Sequence, residues 1–541
     1  MSSDSCVFLQ VLPELTMLIL INVILVCALL FSGSEQTSHA SYGETLALDH
    51  AESDQRFNGA SYYAPIITPV LQTEPVAKLT ILCLVCCCFL YLNSHQQYVS
   101  GFGLVMDDLG RFMSVFLTLS ASCALGLSLH ALKRFSRYEF ILLLWLSLLG
   151  MLCLIKSYSF LAFYLSIELQ SLSFYMLAAM RSRTEASSEA GLKYFILSAF
   201  SSAMLLLGMA LIYSACGSQN FADLAHTLNH FTSLEGAYPM TSLWVGLGCI
   251  AVSLLFKLGA APFHAWIADV YEGSHTCITA WFAITAKIAV ATALIRLNSP
   301  HMLLSLLTFV AASSLIVGSL SAMRQVKLKR LIAFSAVANA GWFVLALVAG
   351  QWQLMVIHLM VYTILSINLF SVFILPLFRS HPSLAYRSRN TDSASVSADS
   401  IDHAADSNTV KYISDLHQIY KVNPSIAFAV TISMFSLAGM PPLAGFYSKY
   451  LILNAVTQTE MYLILSLALA VAILSAYYYL RVIKTIYFSS KSNDANMAYD
   501  GQWWFTMQEL PSNAYITSVT TAATLLFFLK PDYFCVWLNI V

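Results

Sequence analysis

Four charged side chains lie in stretches too apolar to solvate them. Glu168 is central in residues 160–180, Lys257 interrupts 244–261, Lys287 stands midway in 280–295, and Lys449 follows an apolar, proline-broken run. A lysine at a bilayer centre costs roughly 3 kcal/mol on insertion scales, so ionisable groups at that depth face a protein interior or water and usually pair. One could be an accident of packing; four in one chain point to a route for charge, with H+ as the ion. A glutamate–lysine pair adds a switch. Together both charges are stabilised; apart, each is pushed toward its neutral form. Coupling at about 4–8 Å in a low effective dielectric reaches several kcal/mol at most, which is the scale needed to move a proton.

The four positions invite different roles. Glu168 is expected to be the partner or modulator of a buried cation, Lys257 to pass a proton to carbonyls and water freed by a helix break, Lys287 to relay, and Lys449 to act as terminal donor or acceptor. For each, a static structural charge is the competing role. Lys193 is nearer a helix end, where it can snorkel to the interface. His264, after Pro262, and His358, in a later apolar run, titrate in a range suited to proton transfer, with a satisfied core histidine as the alternative.

The elements that hold these residues are read from composition. The 541-residue chain is 58% hydrophobic and 10% charged, against about 25% charged in soluble domains. It is a polytopic membrane protein. A net charge of −1 leaves no footprint for nucleic acid. Apolar runs near the ~20 residues needed to span occur at about 7–32, 77–94, 111–131, 138–156, 159–180, 190–213, 242–270, 276–297, 302–321, 329–349, 352–377, 424–457, 460–488 and 513–535, which makes fourteen. Runs without alternation are helices, so the expected fold is all-α. No Lys or Arg precedes Arg56, so the first run is expected to be a retained helix rather than a basic leader.

Basic residues follow the odd-numbered runs: Lys133, Arg134 and Arg137; Arg181 and Arg183; Arg324, Lys327, Lys329 and Arg330; Arg387, Arg389 and Lys411; Lys484 and Lys491. Lys156 and Arg111 are the main exceptions. The positive-inside rule places the odd-to-even loops on the cytoplasmic or matrix side and both termini opposite. Two runs contain breaks, one at Gly259 and Pro262, the other at Gly439, Pro441 and Pro442. Gly/Pro-broken helices at corresponding places in two halves mark an internal repeat and an ion path. The division expected is 1–33, first helix; 34–76, polar insertion; 77–137, peripheral helices; 138–297, first five-helix unit; 302–488, second unit with a polar insertion at 381–409; and 489–541, terminal loop and last helix. Neither insertion carries a catalytic signature.

Cys83 and Cys86 have a metal-like spacing but lie in an apolar run with no second pair, so they are read as packing. No glycine-rich nucleotide loop, iron–sulfur cysteine spacing or convincing haem histidine pair is present. The chain is therefore expected to hold no cofactor and no metal, and to draw its energy from a neighbour or an ion gradient.

Several motifs resemble those of subunit 2 of respiratory complex I: YLSIELQSLSFYM at 164–176, FKLGAAPFHAW at 256–266, DVYEGS at 269–274, KRLIAFS at 329–335, MFSLAGMPPLAGFYSK at 434–449 and LPE at 12–14. The likeness covers about 105–490 apart from the insertion at 381–409 and looks closer to mitochondrial than to plastid versions. It implies a proton-pumping, antiporter-like subunit of NADH:ubiquinone oxidoreductase in the mitochondrial inner membrane, with fourteen helices, two inverted five-helix repeats and two broken helices. It implies that Glu168 and Lys257 form the ion pair of a first channel, that Lys287 is the central relay, that Lys449 is the second-channel residue, and that Lys193 matches a further family lysine. FMN, iron–sulfur clusters and ubiquinone are then expected in other subunits. The implied partners are membrane-arm subunits, lipids and protons. The sequence departs from the family at Ala286, where proline is common, at His275 and Cys277, where prolines stand in the loop before that helix, and at Asn339, where histidine is common. A cation/proton antiporter complex and a scaffold with static buried charges are the competing functions.

Overall fold

The computed structural model of the chain describes residues 12–26, 73–93, 98–99, 103–132, 139–181, 184–224, 239–297, 300–374, 377–380, 410–417, 419–488, 504–507 and 511–529. The insertion expected at 381–409 lies outside them, as does that at 34–76 up to residue 72. So do Lys133, Arg134, Arg137, Arg183, Arg387, Arg389 and Lys491.

The fold is helical because a lipid-facing backbone must satisfy its own N–H and C=O groups. The helices are α1 Leu12–Val26, α2 Thr73–Leu92, α3 Asp108–Leu132, α4 Glu139–Lys156, α5 Phe160–Ala178 and α6 Glu185–Cys216. Then come α7 Pro239–Leu258, α8 Ala265–Gly273, α9 Thr276–Arg296, α10 Pro300–Met323, α11 Leu328–Val348 and α12 Trp352–Phe373. The last four are α13 Pro424–Ala438, α14 Ala444–Gln458, α15 Tyr462–Tyr487 and α16 Pro511–Leu529. Among the described residues, eleven helices are long and apolar enough to cross a membrane. This is fewer than the fourteen runs read from the sequence, for local reasons. The described part of α1 is short, α16 falls outside the eleven, and the second break leaves two pieces, α13 and α14, of 15 residues each. Two antiparallel ladders were not foreseen: β1 (Tyr98–Val99) with β2 (Val105–Met106), and β3 (Leu377–Ser380) with β4 (Trp504–Met507).

The two breaks are built alike. After α7, Gly259 takes φ +80°, its N–H donates to Leu255 O and Phe256 O, and Ala260 N–H donates to Leu255 O. After α13, Gly439 takes φ +86°, its N–H donates to Phe435 O and Ser436 O, and Met440 N–H donates to Phe435 O. A left-handed residue lets the next N–H groups return to the last orphaned carbonyls, and glycine adopts it without a Cβ penalty. Proline then blocks continuation of the helix.

Small residues let helices meet closely in the core, as is common where lipid gives no hydrophobic drive. A Cβ on Gly246 of α7 would lie 2.9 Å from Gly208 O of α6, and one on Gly318 of α10 would lie 2.5 Å from Ala338 N of α11. α9 and α11 are the most enclosed spans. At one end of the bundle, ion pairs join α6, α8 and α11 with the turn before α11. At the other, Arg296 closes α9 on Asp107 at 2.5 Å, and Arg111 pairs with Asp108 at 3.0 Å.

Candidate functional site

The first cluster sits between α5, α6 and α7. Lys257 is partly buried on the last turn of α7 and donates to Ser198 Oγ at 3.4 Å. The Tyr175 hydroxyl donates to the same oxygen at 2.6 Å. Ser171, one turn before Tyr175, donates to Glu168 Oε2 at 3.4 Å and lies beside the Tyr175 hydroxyl. Glu168 and Lys257 form no direct ion pair; Lys257 bonds to Ser198 instead. Hydroxyls therefore stand between the two charges: Ser171, Tyr175 and Ser198. The second carboxylate oxygen of Glu168, Oε1, is buried without a hydrogen-bond partner.

A small cavity, with room for about one water, opens beside this cluster and is lined by both Lys257 and Lys287. Its polar lining also includes Gln170, Ser171, Tyr194 and Tyr271. Several convergent polar groups are what a buried water needs, so the cavity can bridge two lysines that do not touch. Lys287 is 3% exposed. Its ammonium donates to Tyr362 Oη at 3.0 Å and Ala336 O at 3.4 Å, and stands 4.4 Å from the centre of the Tyr362 ring. A π-turn over Phe282–Ala286 immediately precedes it. Such single-turn bulges occur often at functional sites.

On α12, His358 precedes Tyr362 by four residues and so lies on the same helical face. His358 Nδ1 is 3.0 Å from Ser448 Oγ, and its Nε2 is buried without a partner. Lys449 follows Ser448 on α14. Its ammonium donates to Leu437 O at 2.6 Å and Ala438 O at 3.4 Å, carbonyls freed where α13 ends, and lies 5.6 Å from the Trp342 ring centre. Gly439 leaves room for this, since a Cβ there would sit 3.2 Å from Lys449 Cδ. Asn339 donates to Ser335 O at 2.8 Å, one turn away on α11.

The remaining candidates separate from this line. Lys193 is 41% exposed and pairs with Glu189 at 2.6 Å and Asp269 at 2.9 Å, in an ion network at the end of the bundle. His264 is partly buried beside Phe334, with Nδ1 unpartnered. Among the described residues no group of three or more His, Cys, Asp or Glu is placed to hold a metal. Two features escaped sequence reasoning. Tyr362 carries the contact to Lys287; its four-residue spacing from His358 was the available signal. Lys156 and Glu14 form a buried ion pair, and Tyr91 donates to Glu14 at 2.7 Å.

A family profile described as "NADH:quinone oxidoreductase/Mrp antiporter, TM" matches residues 157–475, more than half of the chain, and the match contains all four buried charges. The chain belongs to this family. Within it, the chain is 36% identical to NADH-ubiquinone oxidoreductase chain 2 of Marchantia polymorpha, over 72% of this chain and 75% of the relative. It is 35% identical to NADH-quinone oxidoreductase subunit N of Pelagibacter ubique, over 77% of this chain and 85% of that protein. A chain of respiratory complex I from Thermus thermophilus, solved with bound aureothin, superposes with a TM-score of 0.69 at 28% identity, covering 86% of this chain and 93% of the other.

Proposed function

We propose that the chain is the antiporter-like subunit 2 of the membrane arm of NADH:ubiquinone oxidoreductase, and that it moves H+ along buried Glu/Lys side chains and water. Redox chemistry in other subunits drives the movement; this chain contributes no redox centre of its own. The observation that carries the reading is the buried polar line. It comprises Glu168 and the hydroxyls leading to Lys257, the cavity shared by Lys257 and Lys287, Tyr362 against Lys287, and His358 bonded to Ser448, the sequence neighbour of Lys449. Buried ionisable groups that lack a direct countercharge are costly, and a static scaffold has no use for a row of them.

On this reading Glu168 is the modulator, Lys257 the first-channel donor, Lys287 the relay, and Lys449 the second-channel residue. His358 supports the transfer between the last two, and His264 and Lys193 serve the approach to the first channel. Fourteen segments, with five-helix units at 138–297 and 302–488, fit the matching hydrogen bonds at Gly259 and Gly439. The membrane is the mitochondrial inner membrane, with the basic ends on the matrix side.

The family description also names Mrp antiporters, so an ion/proton antiporter complex is the second reading. Separation in mild detergent distinguishes them. Co-migration of the chain with NADH:quinone activity, flavin and iron–sulfur clusters is expected. A chain that migrates in a complex without NADH oxidation contradicts the proposal.

A further inference from the structure

The break after α7 is bonded to a short helix outside the buried line. The nine-residue α8 carries Trp266, whose indole N–H donates at 3.0 Å to Phe256 O, the carbonyl just before Lys257. Trp266 also stacks on Tyr194 of α6 at 4.7 Å and 15°, and lines the cavity that touches Lys257 and Lys287. The hydrogen bond joins α8 to the last turn of α7, which carries Lys257.

α8 is packed through the buried Trp266, Ile267, Val270 and Tyr271 and is also tied by ion pairs on its outer side. Asp269 lies one turn after Trp266. Its Oδ2 accepts from Lys193 of α6 at 2.9 Å, and its Oδ1 accepts from Arg330 of α11 at 2.9 Å. Glu272 on the same helix pairs with Arg330 and with Lys327. Lys329 donates to Ser274 O, just beyond α8, at 2.8 Å. One carboxylate thus ties an element of the first five-helix unit to the start of an element of the second, through the helix that holds Lys257.

We propose that Asp269 is a positioning residue for Lys257: by joining Lys193 to Arg330 it holds α8, and through the Trp266–Phe256 hydrogen bond it sets whether Lys257 faces Ser198 or the cavity. The role rests on the proton-route reading above and extends it. Asp269 contacts none of Glu168, Lys257, Lys287 and Lys449. It makes the first channel respond to movement of α11, the helix whose Ala336 carbonyl accepts from Lys287.

The test uses Asp269→Asn and Asp269→Glu in the assembled complex. The readout is protons moved per NADH oxidised in sealed vesicles, normalised to assembled complex. Asp269→Asn should assemble and oxidise NADH in uncoupled membranes. Its proton yield should fall about twofold or more, the lower range for residues that modulate coupling without touching the transferred group. Asp269→Glu, which keeps the charge, should recover most of the loss. A parental yield in Asp269→Asn overturns the proposal, and so does a loss that Asp269→Glu leaves unrelieved. If Asp269→Asn does not accumulate, Arg330→Gln, at the other half of the pair, decides instead: a reduced yield supports the role and a parental yield overturns it. Lys287→Met is measured beside them. A parental yield there contradicts the proton route itself, whereas a normal Asp269→Asn beside an impaired Lys287→Met removes only the positioning role.

Discussion

Replacing Tyr362 by Phe isolates one contact of the central lysine. The substitution keeps the ring that Lys287 overlies at 4.4 Å and removes the hydroxyl that accepts its hydrogen bond at 3.0 Å. The other polar contact of the ammonium, Ala336 O, is longer at 3.4 Å. A hydrogen bond to a charged group contributes roughly 1.5–3 kcal/mol. At about 1.4 kcal/mol per factor of ten, the charged relay should lose between ~10-fold and ~100-fold in relative population. The ring retains a cation–π attraction of about 0.5–2 kcal/mol, so the lysine stays in place while its occupancy falls. Proton pumping per NADH should drop severalfold in sealed vesicles, with NADH oxidation preserved when the membrane is uncoupled. Tyr362→Leu, which also removes the ring, should drop further. A Tyr362→Phe complex that assembles normally and pumps at the parental ratio would falsify the assignment of Tyr362 to the route.

Other outcomes follow from packing and topology. Glu14→Gln leaves Lys156 buried without its countercharge, a loss of roughly 3–5 kcal/mol; assembled complex on native gels should decline, and adding Lys156→Met should restore most of it. Gly445→Ala would set a Cβ 1.8 Å from Ser436 O, a backbone atom with nowhere to move, and should abolish assembly. Gly217→Ala meets open space, carries only the left-handed backbone penalty of about 1–2 kcal/mol, and should still assemble. In oriented inner-membrane vesicles, protease should cut within 381–409 only from the matrix side; cleavage from the intermembrane-space side contradicts the orientation.

Much of the line was visible in the sequence because its members violate their surroundings. A lysine in an apolar helix stands out, and glycine with proline inside a spanning run marks a break; the structure puts breaks after Leu258 and Ala438. The links between the charges were hidden for the opposite reason. Ser198, Tyr175 and Tyr362 are residues that apolar helices tolerate without notice, and only tertiary packing turns them toward Lys257 and Lys287. Lys193 shows the same limit. Its place near a helix end was legible, but its partner Asp269 is 76 positions away. The exceptions to the basic-loop pattern also resolve in three dimensions. Arg111 is held by Asp108, and Lys156 by Glu14, 142 positions earlier. A broken span divides its length between pieces, so eleven long helices among the described residues do not by themselves count the spans.

The central claim is that protons cross the chain by way of Lys287, and the direct measurement is proton pumping by a Lys287→Met complex. Methionine keeps length and apolar bulk and removes the titrating group. Pumping coupled to NADH oxidation should be measured in sealed vesicles and normalised to assembled complex. The account predicts normal assembly with pumping reduced severalfold. Normal assembly with pumping at the parental rate would contradict it and leave Lys287 a static charge in a scaffold.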